Sequence, residues 1–198
     1  MSQGLFWNVF LYDRNKEMKL VVFSDSHGGA IYIKKALDMH RNADAAIFLG
    51  DGISDFFAWR ERYPEIAFIA VRGNCDAGFG DMYGARATEE LTLDGKRIFI
   101  CHGNTYGVKG GYGNLVHAAR LRGADIVLFG HTHQRLERYI SEGEGAEDAD
   151  AAGCACGTKP LYLVNPGSIG GRGSEGEHSF GIVEIKGNGV LVSFGCVS

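Results

Sequence analysis

The feature that most constrains this chain is a series of short apolar blocks, each followed within a few residues by a side chain that can bind a metal ion. The blocks are rich in Val, Ile, Leu and Phe, and they span residues 19–23, 45–49, 66–71, 97–101 and 125–129. Blocks of this length and composition, with helical stretches between them, are typical of buried strands in an α/β layered fold. The sequence therefore predicts sheets whose strand ends carry the functional groups.

Helices are predicted between these strands, on the outside of the sheets. Residues 30–41 place apolar and charged side chains at helical spacing, and residues 54–63 and 112–122 share that pattern. A layered arrangement follows, because each helix has one apolar face to bury against a sheet. We expect two mixed sheets packed face to face with helices outside.

Two hairpins are predicted in the second half of the chain. The Asp94-Gly95 pair between apolar stretches is a strong turn signal. A second hairpin is predicted to join strands 179–186 and 190–196 through Gly187-Asn188-Gly189. We therefore expect the second sheet to be largely antiparallel.

Length and composition indicate one soluble globular domain. The chain has 198 residues, 45% of them hydrophobic, and a formal net charge of −4. A chain of this size buries about 70% of its surface without help from disulfides or metals, so a metal here would be functional. No apolar run reaches the roughly 18 residues that a membrane-spanning helix needs. We read residues 18–198 as the domain and residues 1–17, before Met18, as an N-terminal extension of unassigned function.

An acidic segment at residues 141–157 accounts for the negative charge. Five carboxylates fall in residues 141–153 with no Lys or Arg among them, and the rest of the chain has no basic excess that would attract nucleic acid. We interpret the segment as a solvent-exposed loop between two strands. A role in regulation or in recruiting a partner is the alternative.

The cysteines indicate a reducing, cytoplasmic setting. There are five, an odd number, and they are dispersed rather than spaced as in a disulfide scaffold. Cys154 and Cys156 form a Cys-x-Cys pair in the acidic loop. The pair has no partner pair or nearby His, so we interpret it as two loop thiols, with a soft-metal site as the alternative.

The polar residues after the apolar blocks form the candidate site. In an open α/β sheet, the carboxyl ends of the strands share one edge, so residues distant in sequence converge there. The candidates, in chain order, are Asp25, His27, Asp51, Asn74, His102, His131 and His133. These include four of the seven His residues. The other three, His40, His117 and His178, look incidental.

Seven such donors are more than one ion normally uses, so two divalent ions are implied. A pair of ions about 3.5–4 Å apart can share a bridging carboxylate, hold a hydroxide between them and bind the oxygens of a phosphate. Mixed nitrogen and oxygen donors suit Mn, Fe, Zn, Co or Ni better than Ca, and Mg alone fits poorly with four His. The best single element is Gly130-His131-Thr132-His133, where strand alternation would send both His side chains to one face.

These motifs resemble the calcineurin-like metallophosphoesterases. From Met18 to the C-terminus the chain resembles that family in the order of its motifs, which are Asp25-x-His27, Gly50-Asp51, Gly73-Asn74, His102-Gly103 and Gly130-His131-x-His133. The segment Asn165-Pro166-Gly167-Ser168 resembles the small YfcE-like phosphodiesterase branch. The resemblance implies a four-layer α/β/β/α sandwich and a two-metal site that hydrolyses phosphate esters. It assigns one ion to Asp25, His27 and His133, and the other to Asn74, His102 and His131. Asp51 would bridge the two ions.

The chain departs from the wider family at the residues that would protonate a leaving group. Cys75 stands where many members have a His, and Asn104 stands where the small branch often has a second His. A thiol with an ordinary pKa near ~8.5 is a poor acid catalyst, so we interpret Cys75 as a small packed residue. Protonation would then fall to water or to Asp76. We expect a preference for esters with good leaving groups.

The predicted function is metal-dependent hydrolysis of phosphate esters. Phosphodiesters are the first choice of substrate, and Mn is the first choice of metal. Asp51, Asn74 and His102 would act through the metals and the phosphate, while Arg172 either contacts a phosphate oxygen or is a solvated loop residue. A phosphomonoesterase is the alternative enzyme. A non-catalytic scaffold is the alternative of another class, because a retromer subunit of this fold works through protein contacts. The resemblance also suggests a homodimer.

Overall fold

The structure, a computed structural model, describes residues 17–78, 82–142, 159–173, 176–187 and 189–198. The strands are β1 (Met18–Phe23), β2 (Ala45–Phe48), β3 (Ala67–Ala70), β4 (Thr88–Leu93), β5 (Lys96–Cys101), β6 (Ile126–Leu128), β7 (Arg135–Ile140), β8 (Leu161–Pro166), β9 (His178–Lys186) and β10 (Gly189–Val197). The helices are α1 (Ala30–Met39), α2 (Ile53–Phe57) and α3 (Gly113–Leu121), with short 3₁₀ turns at Arg60–Arg62 and Asn104–Tyr106.

The first sheet has the strand order β10-β9-β1-β2-β3. Strands β1, β2 and β3 run parallel, so their carboxyl ends lie at one edge of the sheet. Strands β9 and β10 form the second predicted hairpin and extend the sheet antiparallel to β1. The Asn188 position of that turn lies outside the described residues.

The second sheet has the order β4-β5-β6-β8-β7, and its pairing differs from the prediction. Strands β5, β6 and β8 pair in parallel, and the antiparallel pairings are those of the two edge strands, β4 and β7. The prediction of a largely antiparallel sheet holds for the two edge strands and is wrong for the three central strands, because α3 carries the chain back from β5 to β6 in the same direction, as a helical crossover does. The carboxyl ends of β5 and β6 therefore also share one edge.

Three apolar layers hold the two sheets and their helices together. The layer between the sheets includes Val22 and Ile47 from the first sheet against Ile100 and Leu128 from the second, all fully buried. Helices α1 and α2 cover the outer face of the first sheet. Helix α3 covers the outer face of the second. The predicted four-layer α/β/β/α sandwich is confirmed.

Local elements agree with the prediction except after residue 57. The sequence predicts one helix over 54–63, but in the structure α2 ends at Phe57 and a 3₁₀ turn follows at Arg60–Arg62. The helical geometry ends at Tyr63 because Pro64 disfavours it in the residue before. The Asp94-Gly95 turn joins β4 and β5 with φ of 44° and 76°, as the hairpin signal predicts.

Some predictions lie outside the described residues. These are the extension up to residue 16, and residues 143–158, which include most of the acidic segment and the thiols of Cys154 and Cys156. Among the described residues, Cys75, Cys101 and Cys196 form no disulfide. Within the described ranges, no helix has both the length and the apolar character needed to cross a membrane.

Candidate metal centre

The polar residues that follow the strands converge from both sheets. Nε2 of His102, after β5 of the second sheet, lies 4.0 Å from Oδ1 of Asp25 and 3.5 Å from Oδ2 of Asp51, which follow β1 and β2 of the first sheet. The backbone N–H of His131 donates to Oδ2 of Asp25 at 3.1 Å. The strand-end arrangement therefore joins side chains that are about 100 residues apart in sequence.

Asp25, His27 and His133 form the first group of donors. Nε2 of His133 lies 3.1 Å from Oδ1 of Asp25, and Nε2 of His27 lies 3.8 Å from the same oxygen. Nε2 of His27 is too far from that oxygen for a hydrogen bond, and both Oδ1 of Asp25 and Nε2 of His27 are buried atoms for which no hydrogen bond is formed. Each such atom costs about 1–3 kcal/mol when it is left unsatisfied.

Asp51, His102 and His131 form the second group. Nδ1 of His102 lies 2.8 Å from the Leu49 carbonyl oxygen, a contact that makes Nδ1 the protonated nitrogen and leaves Nε2 facing the site. Nδ1 of His131 lies 3.2 Å from that Nε2. These two imidazole nitrogens and a carboxylate oxygen of Asp51 lie close enough together to bind one metal ion.

Asp51 lies between the two groups. Its Oδ2 is 3.5 Å from Nε2 of His102 and 4.0 Å from Nε2 of His27. Its Oδ1 accepts the backbone N–H of Cys75 at 2.7 Å. Asp51 also belongs to a third group of close donors with His27 and Cys75. One carboxylate therefore reaches donors of both groups, as a bridging ligand must.

The charges of the site shift the pKa values of its imidazoles in both directions. The Asp25 carboxylate raises the pKa of His133, and the Asp51 and Asp25 carboxylates outweigh burial and raise that of His102. Burial, assisted by the Arg172 charge, lowers the pKa of His27. Burial opposes ionisation of Asp51, but His102 and the Cys75 N–H outweigh it and lower the pKa of that carboxyl.

These observations fit a site for divalent cations. At this site, two buried atoms lack hydrogen bonds, a carboxylate oxygen and an imidazole nitrogen, and both are metal donors. Two buried carboxylates lie within 4.0 Å of several imidazole nitrogens, and a cation bound there would neutralise the buried negative charge. The described residues therefore match the donor chemistry predicted from the sequence.

The backbone at these residues adopts unusual conformations. Five of the donors have positive φ: Asp25 at 55°, His27 at 44°, Asp51 at 63°, His131 at 69° and His133 at 60°. Left-handed geometry in residues other than glycine costs free energy, and it clusters where a site requires it. His131 and His133 lie in the loop after β6, so the explanation by strand alternation is wrong. Two left-handed turns send their rings to the two different groups.

Buried polar side chains hold these loops in place. Oγ of Ser24 donates to Oδ2 of Asp25 at 2.5 Å, and Oγ of Ser168 donates to the Asp25 carbonyl at 2.8 Å. Nδ2 of Asn165 donates to the Gly130 carbonyl at 2.9 Å and to Oγ1 of Thr132 at 3.1 Å. The Asn165-to-Ser168 motif therefore supports the loops of Asp25, His131 and His133.

The two predicted substrate contacts lie on the surface. Asn74 is exposed, and its amide contacts Sγ of Cys75 at 3.3 Å. Arg172 is exposed beside the first group, where its carbonyl lies 3.4 Å from Nδ1 of His133. Sequence reasoning missed Lys109, whose charge helps to lower the pKa of His131. A lone Lys in a glycine-rich segment such as 107–113 gives no signal of its own.

Two interpretations of the proton-donor positions are wrong. Cys75 is exposed rather than packed, and the neighbouring Asp51 carboxylate raises the pKa of its thiol. Asp76 was a candidate acid, but both of its carboxylate oxygens accept backbone N–H groups, four in all, and only 3% of the residue is exposed. A carboxylate engaged in this way is not free to protonate a leaving group.

The fold and the donor set together are those of the metallophosphoesterase class of proteins. The calcineurin-like phosphoesterase superfamily domain matches residues 18–188, and the chain belongs to that family. The chain is 27% identical over 179 residues to a Bacillus subtilis protein named "Probable metallophosphoesterase YsnB", covering 89% of this chain and 90% of the other. It is 26% identical over 137 residues to phosphodiesterase MJ0936 of Methanocaldococcus jannaschii, covering 63% and 79% of the two chains.

Solved structures show the same fold. A predicted phosphoesterase from Streptococcus pneumoniae superimposes with a TM-score of 0.66 at 25% identity, covering 90% of this chain and 89% of the other. Vps29 of Entamoeba histolytica in complex with zinc superimposes with a TM-score of 0.65 at 21% identity, covering 91% and 98%. The second likeness concerns the fold alone.

Proposed function

We propose that this chain is a phosphodiesterase that works with two divalent ions, Mn²⁺ foremost. The observation that carries the proposal is the pair of donor groups that meet at Asp51, with two buried donor atoms lacking hydrogen bonds. One ion would be held by Asp25, His27 and His133, the other by Asn74, His102 and His131, with Asp51 shared. When bound, such ions supply an activated water for attack on phosphorus and positive charge for the phosphate oxygens.

The chain's own residues would orient the substrate. Arg172 and Lys109 place positive charge beside the two groups, since both affect the pKa values of site imidazoles. Positive charge at the rim attracts a phosphate ester and, if it reaches a non-bridging oxygen, stabilises negative charge there. The Asn74 side chain is exposed, and its amide would bind both metal and phosphate.

Selectivity among leaving groups follows from the side chains around the site. Cys75 has a raised pKa, Asp76 is fully engaged and Asn104 has no proton of suitable acidity. With no suitable acid at these three positions, we expect the departing oxygen to leave as an anion or to take its proton from water. We therefore expect aryl diesters to react much faster than alkyl diesters.

Hydrolysis of bis-p-nitrophenyl phosphate and p-nitrophenyl phosphate tests the proposal. Protein stripped by a chelator is assayed with Mn, Ni, Co, Zn or Mg restored. We expect metal-dependent diester cleavage that falls roughly 10³-fold in Asp51→Asn, because ion chemistry contributes several kcal/mol. Asp125→Asn is the matched control, since Asp125 precedes β6 and accepts the Arg97 N–H at the opposite end of that strand.

Other outcomes would point to other functions. Faster cleavage of the monoester than of the diester would assign a phosphomonoesterase. Metal binding without cleavage of either ester would contradict the proposal and favour a protein-interaction scaffold. Equal rates for aryl and alkyl diesters would show that a proton donor has been overlooked.

A further inference from the structure

The carboxylate of Asp76 occupies an unusual place beside the metal-donor residues. Its Oδ2 accepts the N–H of Asp51 at 2.7 Å and of Gly73 at 2.8 Å. Its Oδ1 accepts the N–H of Gly52 at 2.8 Å and of Ile53, the first residue of α2, at 3.0 Å. Four backbone donors from two loops therefore converge on one side chain.

Two of these donors, the N–H groups of Asp51 and Gly52, come from a strained stretch of backbone, and Ile53 follows it directly. Gly50, Asp51 and Gly52 have consecutive positive φ values of 103°, 63° and 129°. Successive N–H groups in such turns point to one side and form a concavity that binds anions, and the start of a helix adds favourable potential. The Asp76 carboxylate fills that concavity. It compensates the strain at Asp51, whose left-handed conformation is costly for a residue with a side chain.

The contact between the two loops is reciprocal. Asp76 binds the backbone at Asp51, while Oδ1 of Asp51 accepts the backbone N–H of Cys75 at 2.7 Å. The backbones meet at Gly50 and Gly73, where a Cβ on Gly73 would lie 2.1 Å from Oδ1 of Asp51. No side chain fits between the loops. The direction of the Asp51 carboxylate is therefore fixed by the pairing that Asp76 maintains.

We propose that Asp76 is a positioning residue, which holds the Asp51 carboxylate and the Asn74 loop in the geometry that binds metal. The metal-binding role of Asp51 on which this rests is part of the proposed function. Because both carboxylate oxygens of Asp76 accept backbone N–H groups, Asp76 would act through Asp51 rather than by binding substrate or ion itself. Partners of this kind typically change metal affinity or activity by about 10- to 100-fold when they are removed.

The test compares Asp76→Asn and Asp76→Ala with the wild type and with Asp125→Asn. An amide in place of the carboxylate turns one acceptor into a donor that faces N–H groups, and Ala empties the concavity. We expect both variants to bind Mn²⁺ about 10- to 100-fold more weakly in calorimetric titrations. Both ions should be affected, because Asp51 would be shared between them. The control retains wild-type affinity because its carboxylate lies at the far end of β6.

Formate provides a rescue that a general loss of stability would not show. It is a carboxylate small enough to enter the space vacated in Asp76→Ala, so added formate is expected to restore metal affinity in Asp76→Ala and to leave Asp76→Asn unchanged. Acetamide, which is neutral, serves as the negative control. Thermal melts of the metal-free proteins in the same solutions report whether the fold has been retained.

Several results would overturn the proposal. Unchanged Mn²⁺ affinity in both variants would show that Asp76 does not position Asp51. A loss of kcat confined to alkyl diesters, with normal metal affinity, would make Asp76 the acid. Variants that fail to fold even in formate would assign it a structural role only. A wild-type protein that binds metal but hydrolyses nothing would contradict the proposed function. The titrations would still test the role of Asp76, because they measure metal affinity and need no turnover.

Discussion

The loops after β1 and β2 each present one buried carboxylate to the same site, yet they are held in different ways. Asp25 is held mainly from across the sandwich, by the His131 N–H, and by Ser168, which follows β8 of the second sheet. Asp51 is held from the neighbouring loop of its own sheet, through the N–H of Cys75 and the carboxylate of Asp76.

The difference shows how two similar positions acquire different sensitivities. Asp25 keeps one oxygen free of hydrogen bonds, and its supports are a hydroxyl and backbone groups that depend on the packing of the two sheets. Asp51 depends on a charged partner, and hydrogen bonds to charged groups contribute more than neutral ones. We therefore expect substitutions in the neighbouring loop to disturb the position of Asp51 most. Substitutions at the contact between the two sheets should disturb the position of Asp25 most.

Adding one methyl group at either contact is expected to give the largest effect. A Cβ on Gly73 would lie 2.1 Å from Oδ1 of Asp51, and a Cβ on Gly170 would lie 2.3 Å from the Ser26 carbonyl oxygen and 2.8 Å from that of Asp25. Gly73→Ala should displace the Asp51 loop and Gly170→Ala the Asp25 loop. Each should cost about 1–3 kcal/mol of unfolding free energy or more.

Chemical denaturation and metal titration of the same samples check this. Gly110→Ala is the control, because its nearest neighbour would lie 3.5 Å from the new Cβ and its φ is ordinary. If Gly73→Ala and Gly170→Ala both retained full stability and metal affinity, the close approach of the loops would not be what positions the carboxylates.

Removing the hydroxyl beside Asp25 is expected to give an intermediate effect. Ser24→Ala deletes the donor at 2.5 Å from Oδ2 but leaves the His131 N–H in place. We expect a loss of about tenfold in metal affinity, at the lower end of the range for such supports and smaller than in the Asp76 variants. Parallel calorimetric titrations would measure both. A larger loss of metal affinity in Ser24→Ala than in Asp76→Asn would show that Asp25 depends more than Asp51 on its supporting side chain.

The smallest effect concerns the pH dependence of stability without metal. The Asp25 carboxylate raises the pKa of His133 above 6.5, so this interaction stabilises the fold below that pH and the stabilisation is lost as the pH rises through the folded-state pKa. The difference in melting temperature between wild type and His133→Asn should therefore shrink as the pH rises. Metal binding should depend on pH in the opposite direction, because the ion must displace the proton on His133. The affinity for the metal should therefore increase with pH.

Thermal melts across this pH range, with and without Mn²⁺, would test both signs. His117→Asn, a change within α3, is the matched control and should melt with a pH dependence like that of the wild type. A difference for His133→Asn that grew with pH in metal-free protein would contradict the assigned cause of the raised pKa.

Sequence reasoning predicted the sandwich because apolar periodicity and strand-end polar residues are properties of short segments. It also predicted the grouping of Asp25 with His27 and His133, through the family resemblance, and the structure brings these three side chains together. It misjudged the second sheet, where strand direction depends on how β8 inserts between β6 and β7. It also misjudged Cys75 and Asp76, since their exposure and hydrogen bonds depend on how two loops meet.

The sequence by itself determined which residues end the strands, which donor types they carry and that they would converge, because strand length and parallel connection fix where each strand ends. Only the tertiary structure decided how each donor is aimed. Left-handed turns send His131 and His133 to different groups, and Asp76 binds four N–H groups of two loops instead of offering a proton. Such choices depend on hydrogen bonds between segments far apart in the chain, and no local pattern encodes them.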